Sequence, residues 1–206
     1  MLIDEFMPAY DVSDAVATVV EADVATTWAA LMAVDLIDVG RRRPSVALLG
    51  ALRMLPEIVS HLLHGEMPAD QPEHLQLRDL ATLTPDKGGW VQLGLREEDE
   101  IALGLVGRFW RPVIEFARVS SPAEFRQFGE PGFAKTIYAL SVRALDARRT
   151  LLSGTMRTAT TDESARRWFR RYWTFGVGSG AHVLVSGLLD VTREMAEQKK
   201  DDTQHA

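Results

Sequence analysis

The chain has 206 residues, 46% of them hydrophobic and 25% charged, a balance that excludes collagen-like, disordered and membrane-bundle classes. Its formal net charge of -6 sets up a field that repels polyanions, which argues against a general affinity for nucleic acid or anionic lipid. Cysteine is absent, so disulfides, thiolate metal sites and cysteine nucleophiles are excluded.

The first residues, Met-Leu-Ile-Asp-Glu-Phe, are acidic where a secretory signal carries Lys or Arg, and no apolar stretch with a small-residue cleavage site follows. Val12 to Ala22 mixes Val, Ala and Thr with short polar residues and predicts a first strand. Asp23 then suits an N-cap, because its carboxylate can accept from the free N–H groups of the next turn. The helix it starts runs from Val24 to about Ala33. Asp38 to Pro44 holds Gly40 and three arginines and reads as a loop.

From Pro44 to His64, Leu49, Leu52, Leu55, Val59, Leu62 and Leu63 recur at helical spacing, with Pro56 bending or splitting the helix. Gly65 to Glu73 is a loop. Trp90 to Arg96 and Ile101 to Trp110 then read as a hairpin across the polar turn Glu97 to Glu100. A weaker strand covers Val113 to Val119. Ser121-Pro122 has the chemistry of a helix start, and a short helix runs to Phe128. Phe133 to Ala144 alternates as a strand and pairs with Leu151 to Thr160 across a tight turn at Asp146 to Arg148.

From Asp162 to about Lys199 the pattern is helical again, and Gly176, Gly178 and Gly180 predict a kink. Lys199 to Ala206 is a polar tail. The two most apolar windows, Val46 to Leu52 and Gly176 to Leu189, are shorter than the roughly 18 residues of a spanning helix. The expectation is one soluble, cytoplasmic α+β domain covering the whole chain, with no membrane insertion and no nucleic-acid partner.

A strand, helices, an antiparallel meander and one long C-terminal helix, in that order, resemble the helix-grip fold of the START and pollen-allergen-like superfamily (SRPBCC). That superfamily includes the polyketide cyclase/dehydrase-like proteins. The residues that carry the resemblance are Gly104-Leu-Val-Gly-Arg-Phe-Trp-Arg-Pro112, Glu130-Pro-Gly-Phe-Ala-Lys135 and Arg166-Arg-Trp-Phe-Arg-Arg-Tyr-Trp173. It extends from about Tyr10 to Glu197 and lies nearest to uncharacterised bacterial members. The resemblance implies a curved antiparallel sheet wrapped around the long helix, an apolar cavity between them, and a hydrophobic small molecule as partner. It carries over no catalytic residue, no cofactor and no metal.

Read from the residues, the inner stripe of the last helix is Ala165, Trp168 or Phe169, Tyr172, Gly176, Gly180, Val183 or Leu184, Gly187 and Val191. Small residues there either leave room for a ligand or let the helix lie closely on the sheet. Arg108, Trp110, Glu115 and Tyr138 are the group most suited to a small-molecule site, an arginine and a phenol among apolar residues. The alternative is an aromatic core with Arg108 at the sheet rim. The candidate ligand-binding set is Arg108, Trp110, Tyr138, Met156, Tyr172, Gly176 and Gly180.

Arg166, Arg167, Arg170 and Arg171 form either a clamp for a carboxylate or phosphate or a solvated face in which Glu163 pairs with Arg166 or Arg167. Glu57, His61 and His64, with Glu66 and His74 nearby, share a helical spacing but lack the second cluster a metal site needs, and read as a solvated face. Ser179 and His182 lie three apart with no evident carboxylate to orient the imidazole. The function expected is binding or carriage of an apolar molecule. The alternatives are a cyclase or dehydratase acting in the same cavity, and a structural protein with a filled core.

Overall fold

The computed structural model describes residues 1–48, 74–82, 89–174 and 178–204. Six strands, β1 (Val12–Val20), β2 (Trp90–Arg96), β3 (Glu100–Arg108), β4 (Glu115–Phe116), β5 (Ala134–Ala144) and β6 (Thr150–Thr160), form one curved antiparallel sheet. Its order is β1-β6-β5-β3-β2, with β4 paired to β3. The described helices are α1 (Leu2–Phe6), α2 (Val24–Ala33), α3 (Leu36–Arg42), α4 (Leu77–Thr82), α5 (Pro122–Gln127), α6 (Glu163–Tyr172) and α7 (Gly178–Gln204). The fold is α+β, with the long C-terminal helix packed on the sheet.

Local chemistry accounts for most of the element starts. Asp23 accepts from Thr26 N at 2.8 Å to open α2, and Ser121 accepts from Glu124 N at 3.2 Å, just before Pro122, to open α5. Asp162 does the same for α6 through Ala165 N at 2.8 Å. The strands follow the period of two. Along β1 the odd-numbered positions Ser13, Ala15, Ala17 and Val19 are exposed, while Val12, Asp14, Val16, Thr18 and Val20 turn toward α7.

Several expectations need correction. Asp38 to Pro44 is not a loop. Its first residues belong to α3, which Asp35 caps through Ile37 N at 2.9 Å and the Asp38–Arg42 pair spans at 2.6 Å. Val39 anchors α3 in the core, and that burial outweighs the helix penalty of Gly40. The weak strand expected over Val113 to Val119 shrinks to Glu115–Phe116. The stretch expected as one kinked helix is helical in α6, to Tyr172, and again in α7 from Gly178. Residues 175–177 between them lie outside the described residues, and the polar tail continues α7 to Gln204. Neither α1 nor α4 was signalled by periodicity, both being short. The helix expected beyond Leu48, its Pro56 bend and the loop to Glu73 lie outside the described residues.

Both faces of the sheet are covered. On one face α2, α3, α4 and α7 bury Leu31, Val34, Val39, Leu77 and Leu189 against Val20, Ile101, Leu103, Leu140, Val142 and Leu152. On the other, α1 and α5 bury Ile3 and Phe125 against Val91, Leu93, Ala102, Val106 and Ile137. The fully buried carboxylate of Glu100 ties α1 down by accepting Leu2 N–H at 2.9 Å. The central strand β3 is therefore buried on both sides from Glu100 to Gly107, which is why it reads as an almost unbroken apolar run.

Two glycines set how closely the helix layer approaches. A Cβ at Gly154 on β6 would lie 2.5 Å from Val185 Cγ1 of α7 and 3.1 Å from Leu140 Cδ2. A Cβ at Gly187 on α7 would lie 2.8 Å from Val46 Cγ2. At Gly187 the small residue thus serves close packing and leaves no open space. Gly154→Ala is expected to cost about 1–3 kcal/mol by overpacking. Urea denaturation should show that cost shrinking in a Val185→Ala background, since the clash is with Cγ1. Equal costs in the two backgrounds would refute this contact as the constraint.

Candidate functional site

The end of the sheet toward Trp90 and Leu105 is covered differently from the rest. Here α6 and the segment after β3 bring Phe169, Tyr172, Trp173, Phe109, Trp110 and Ile114 over Leu105, Ala134, Trp90 and Tyr138. Leu105, Phe109, Ala134 and Phe169 are buried, whereas Val12, Trp90, Trp110, Ile114, Tyr138, Tyr172 and Trp173 are only partly buried. Partly buried aromatic rings thus gather between the sheet and its covering helix.

Tyr138 stands at the centre of it. Antiparallel pairing sets Tyr138 directly opposite Leu103 on β3 and Met156 on β6, so the three side chains share one face. Trp90 meets the Tyr138 ring at 5.8 Å and 58°. Burial, with a smaller contribution from the Tyr172 phenol, pushes the Tyr138 hydroxyl up to about 12. Among the described residues no group hydrogen-bonds this hydroxyl. The buried Thr136 and Thr158 hydroxyls, one row along, satisfy each other at 2.8 Å. A phenol held neutral among aromatic rings can donate or accept a hydrogen bond and so orient a carbonyl, hydroxyl or acid of a bound molecule.

Trp110, Tyr138, Met156 and Tyr172 therefore come together on the helix-covered face, with Met156 buried beside Tyr138. Gly180 is buried on α7, and Gly176 lies outside the described residues. Arg108 does not join them. It follows Val106 in the alternation of β3 and emerges on the opposite face of the sheet. There its Nε donates to Gly132 O at 3.1 Å, its Nη1 donates to Glu115 at 3.1 Å, and its guanidinium stacks on Phe133 at 4.3 Å. The strand ends at Arg108 and the chain turns, with Arg111 N bonding back to Arg108 O at 3.1 Å. That turn carries Trp110 to the face that Arg108 does not share.

The structure also supplies a partner the sequence did not reveal. His182 Nδ1 lies 3.0 Å from Asp14 Oδ2. Asp14 on β1 pairs with Met156 on β6, which pairs with Tyr138 on β5, so carboxylate, thioether and phenol form one row on one face. With Nδ1–H donating to Asp14, Nε2 of His182 is left as an acceptor, the arrangement of an oriented acid–base imidazole. The only local signal was an aspartate on the inward parity of β1. Of the histidine cluster, His74 is described, and its Nδ1 bonds Asp35 Oδ2 at 2.7 Å. Burial works against ionisation of Asp35, but the bonds from His74 and from the backbone of Leu75 and Ile37 prevail and bring it down to about 2. No cluster among the described residues has the makings of a metal site. No described helix is long and apolar enough to cross a membrane.

Because the neutral phenol is favoured in the folded state, Tyr138 contributes stability that is complete below about pH 10 and lost as pH rises toward 12. Spectrophotometric titration should show one of the three tyrosines ionising about two units late, and Tyr138→Phe should remove that step. Three ordinary tyrosine titrations would contradict its burial.

No protein-family model matches the chain, and no curated protein does. Five solved chains are similar to it. One of them, the crystal structure of a conserved protein from Geobacillus kaustophilus, matches over 91% of this chain and 96% of its own, at 11% identity and a TM-score of 0.39.

Proposed function

We propose that this protein binds or carries an apolar small molecule in the cytoplasm, as a helix-grip protein of the START and pollen-allergen-like kind. The molecule sits between the sheet and the helices that cover it. The observation that carries the reading is Tyr138, a half-buried phenol on the helix-covered face whose ring meets Trp90 at 5.8 Å and shares a cluster with half-buried Trp110, Tyr172 and Trp173. A phenol hydroxyl set among aromatic rings can exchange a hydrogen bond with a bound molecule. A lipid-like or polyketide-like ligand with one oxygen on an apolar body would do so and cover the rings as well.

A second reading, a cyclase- or dehydratase-type enzyme in the same recess, draws on the Asp14–His182 pair. Its imidazole would move a proton on a substrate oriented by Tyr138. The two readings diverge at His182→Ala, which leaves a carrier's affinity unchanged and abolishes an enzyme's turnover.

Mass spectrometry of the purified protein, native and then denatured, tests the shared claim. The expected result is a small apolar molecule released on denaturation. Rebinding of that molecule, or of 1-anilinonaphthalene-8-sulfonate if it is lost in purification, should weaken in Tyr138→Phe by up to about tenfold, the worth of one hydrogen bond. A protein that releases nothing and leaves the dye dark has a recess filled by its own side chains, and the proposal fails.

A further inference from the structure

Helix α6 presents two faces of different chemistry. Ala165 and Phe169 are buried against the sheet, and Tyr172 completes that side half-buried. The outer arc, read at 100° per residue, is Arg170, Arg167, Arg171 and Trp168. All four are exposed, and Trp168 is 53% exposed with the Arg171 guanidinium 5.4 Å from its ring centre.

The acidic neighbours are engaged mainly at the start of the helix, Asp162 also facing the charge of Arg167. Glu163 pairs with Arg166 at 3.1 Å and Asp11 with the same arginine at 2.8 Å. Asp162 is held by the N–H groups of Ala165 and Gly132. Arg170 and Arg171 make no ion pair among the described residues. On a chain of net charge -6, four arginines and one glutamate within ten residues are a local reversal of sign.

We propose that the outer arc of α6 docks this protein on an anionic lipid bilayer. Trp168 enters the headgroup layer, and Arg167, Arg170 and Arg171 lie on lipid phosphates. An indole is amphipathic, apolar in its body with one N–H to donate, and guanidinium forks match phosphate oxygens. A helix lying in the plane of the surface with such a face is the geometry of a peripheral anchor. The bilayer is favoured over an acidic protein because the arc of one ten-residue helix is far smaller than the roughly 800 Å² per partner of a stable protein interface. A bilayer needs no shaped counterpart. It is favoured over nucleic acid because Arg171 already covers one face of the only exposed ring on the arc, which leaves no free face for a base to stack on beside the cation. The overall negative charge makes the attraction short-ranged, acting within about a Debye length of 8 Å at physiological salt. The surface function goes beyond the binding reading above and holds whatever the recess contains.

Co-sedimentation with phosphatidylglycerol/phosphatidylcholine vesicles, and with pure phosphatidylcholine vesicles, is the test. The wild-type chain should bind the anionic vesicles alone and be released by salt. Arg170→Ala/Arg171→Ala should weaken that binding about 30-fold, about fivefold for each cation removed. A blue shift of tryptophan emission on binding should be present in wild type and absent in Trp168→Phe. All three side chains are exposed, and the variants should keep the wild-type circular dichroism and urea midpoint. Failure to bind anionic vesicles, equal binding to neutral ones, or an unchanged affinity in the double arginine variant would each overturn the proposal. So would tighter binding to polyglutamate or duplex DNA than to anionic vesicles with the same arginine dependence, which assigns the arc to a polyanion.

Discussion

The layer of helices reaches the sheet at one point of closest approach, where Val185 of α7 sits over the bare backbone of Gly154. Any side chain at that position would lift the helix, and the aliphatic core between Leu152, Leu140 and Leu189 would lose its contacts with it. On the far side of α7, Gly187 works in the same way and admits Val46 to the back of the helix. At these two positions glycine brings the layers together and hollows nothing. Where α7 lies close, the core is mostly aliphatic, with Trp28 of α2 among it. The end of the sheet that α6 covers is packed with partly buried aromatic rings.

The two regions of the interior differ in their chemistry. One is built chiefly from aliphatic side chains, the other from rings tilted against one another, at 30° and 49° around Phe169 and at 58° between Trp90 and Tyr138 on the strands. Tyr138 lies at the junction and is packed against both clusters. Its phenol is held neutral by desolvation. The long helix α7 supplies packing against the sheet, and α6 covers the aromatic cluster and shows its arginines to the outside.

Much of this was legible in the residues. The strands, the Asp23 and Ser121-Pro122 helix starts and the glycine-rich interruption of the last helix follow from periodicity and capping chemistry, which act within a few residues. The inward parity of Thr136, Tyr138, Leu140 and Val142 was equally plain. The helix at Leu36–Arg42 was not, because its glycine and arginines oppose a helix locally, and the burial of Val39 that overrides them comes from a helix far along the chain. Of the candidate site, Trp110, Tyr138, Met156 and Tyr172 gather as one group, while Arg108 lies on the other face with Glu115 and Phe133.

Alternation along a strand is a local property, so the sequence by itself determined that Arg108 shares a parity with Val106 and that Tyr138 shares one with Leu140. Which parity of β3 faces the same way as which parity of β5 is a matter of register, decided when Leu103 pairs with Tyr138. The same is true of Asp14 and His182, 168 residues apart in sequence. Composition and periodicity specify which elements form, because those preferences act within a turn or a strand. The aromatic cluster around Tyr138 and the Asp14–His182 pair exist only once distant strands are in register, because each is made of groups that no local interaction brings together.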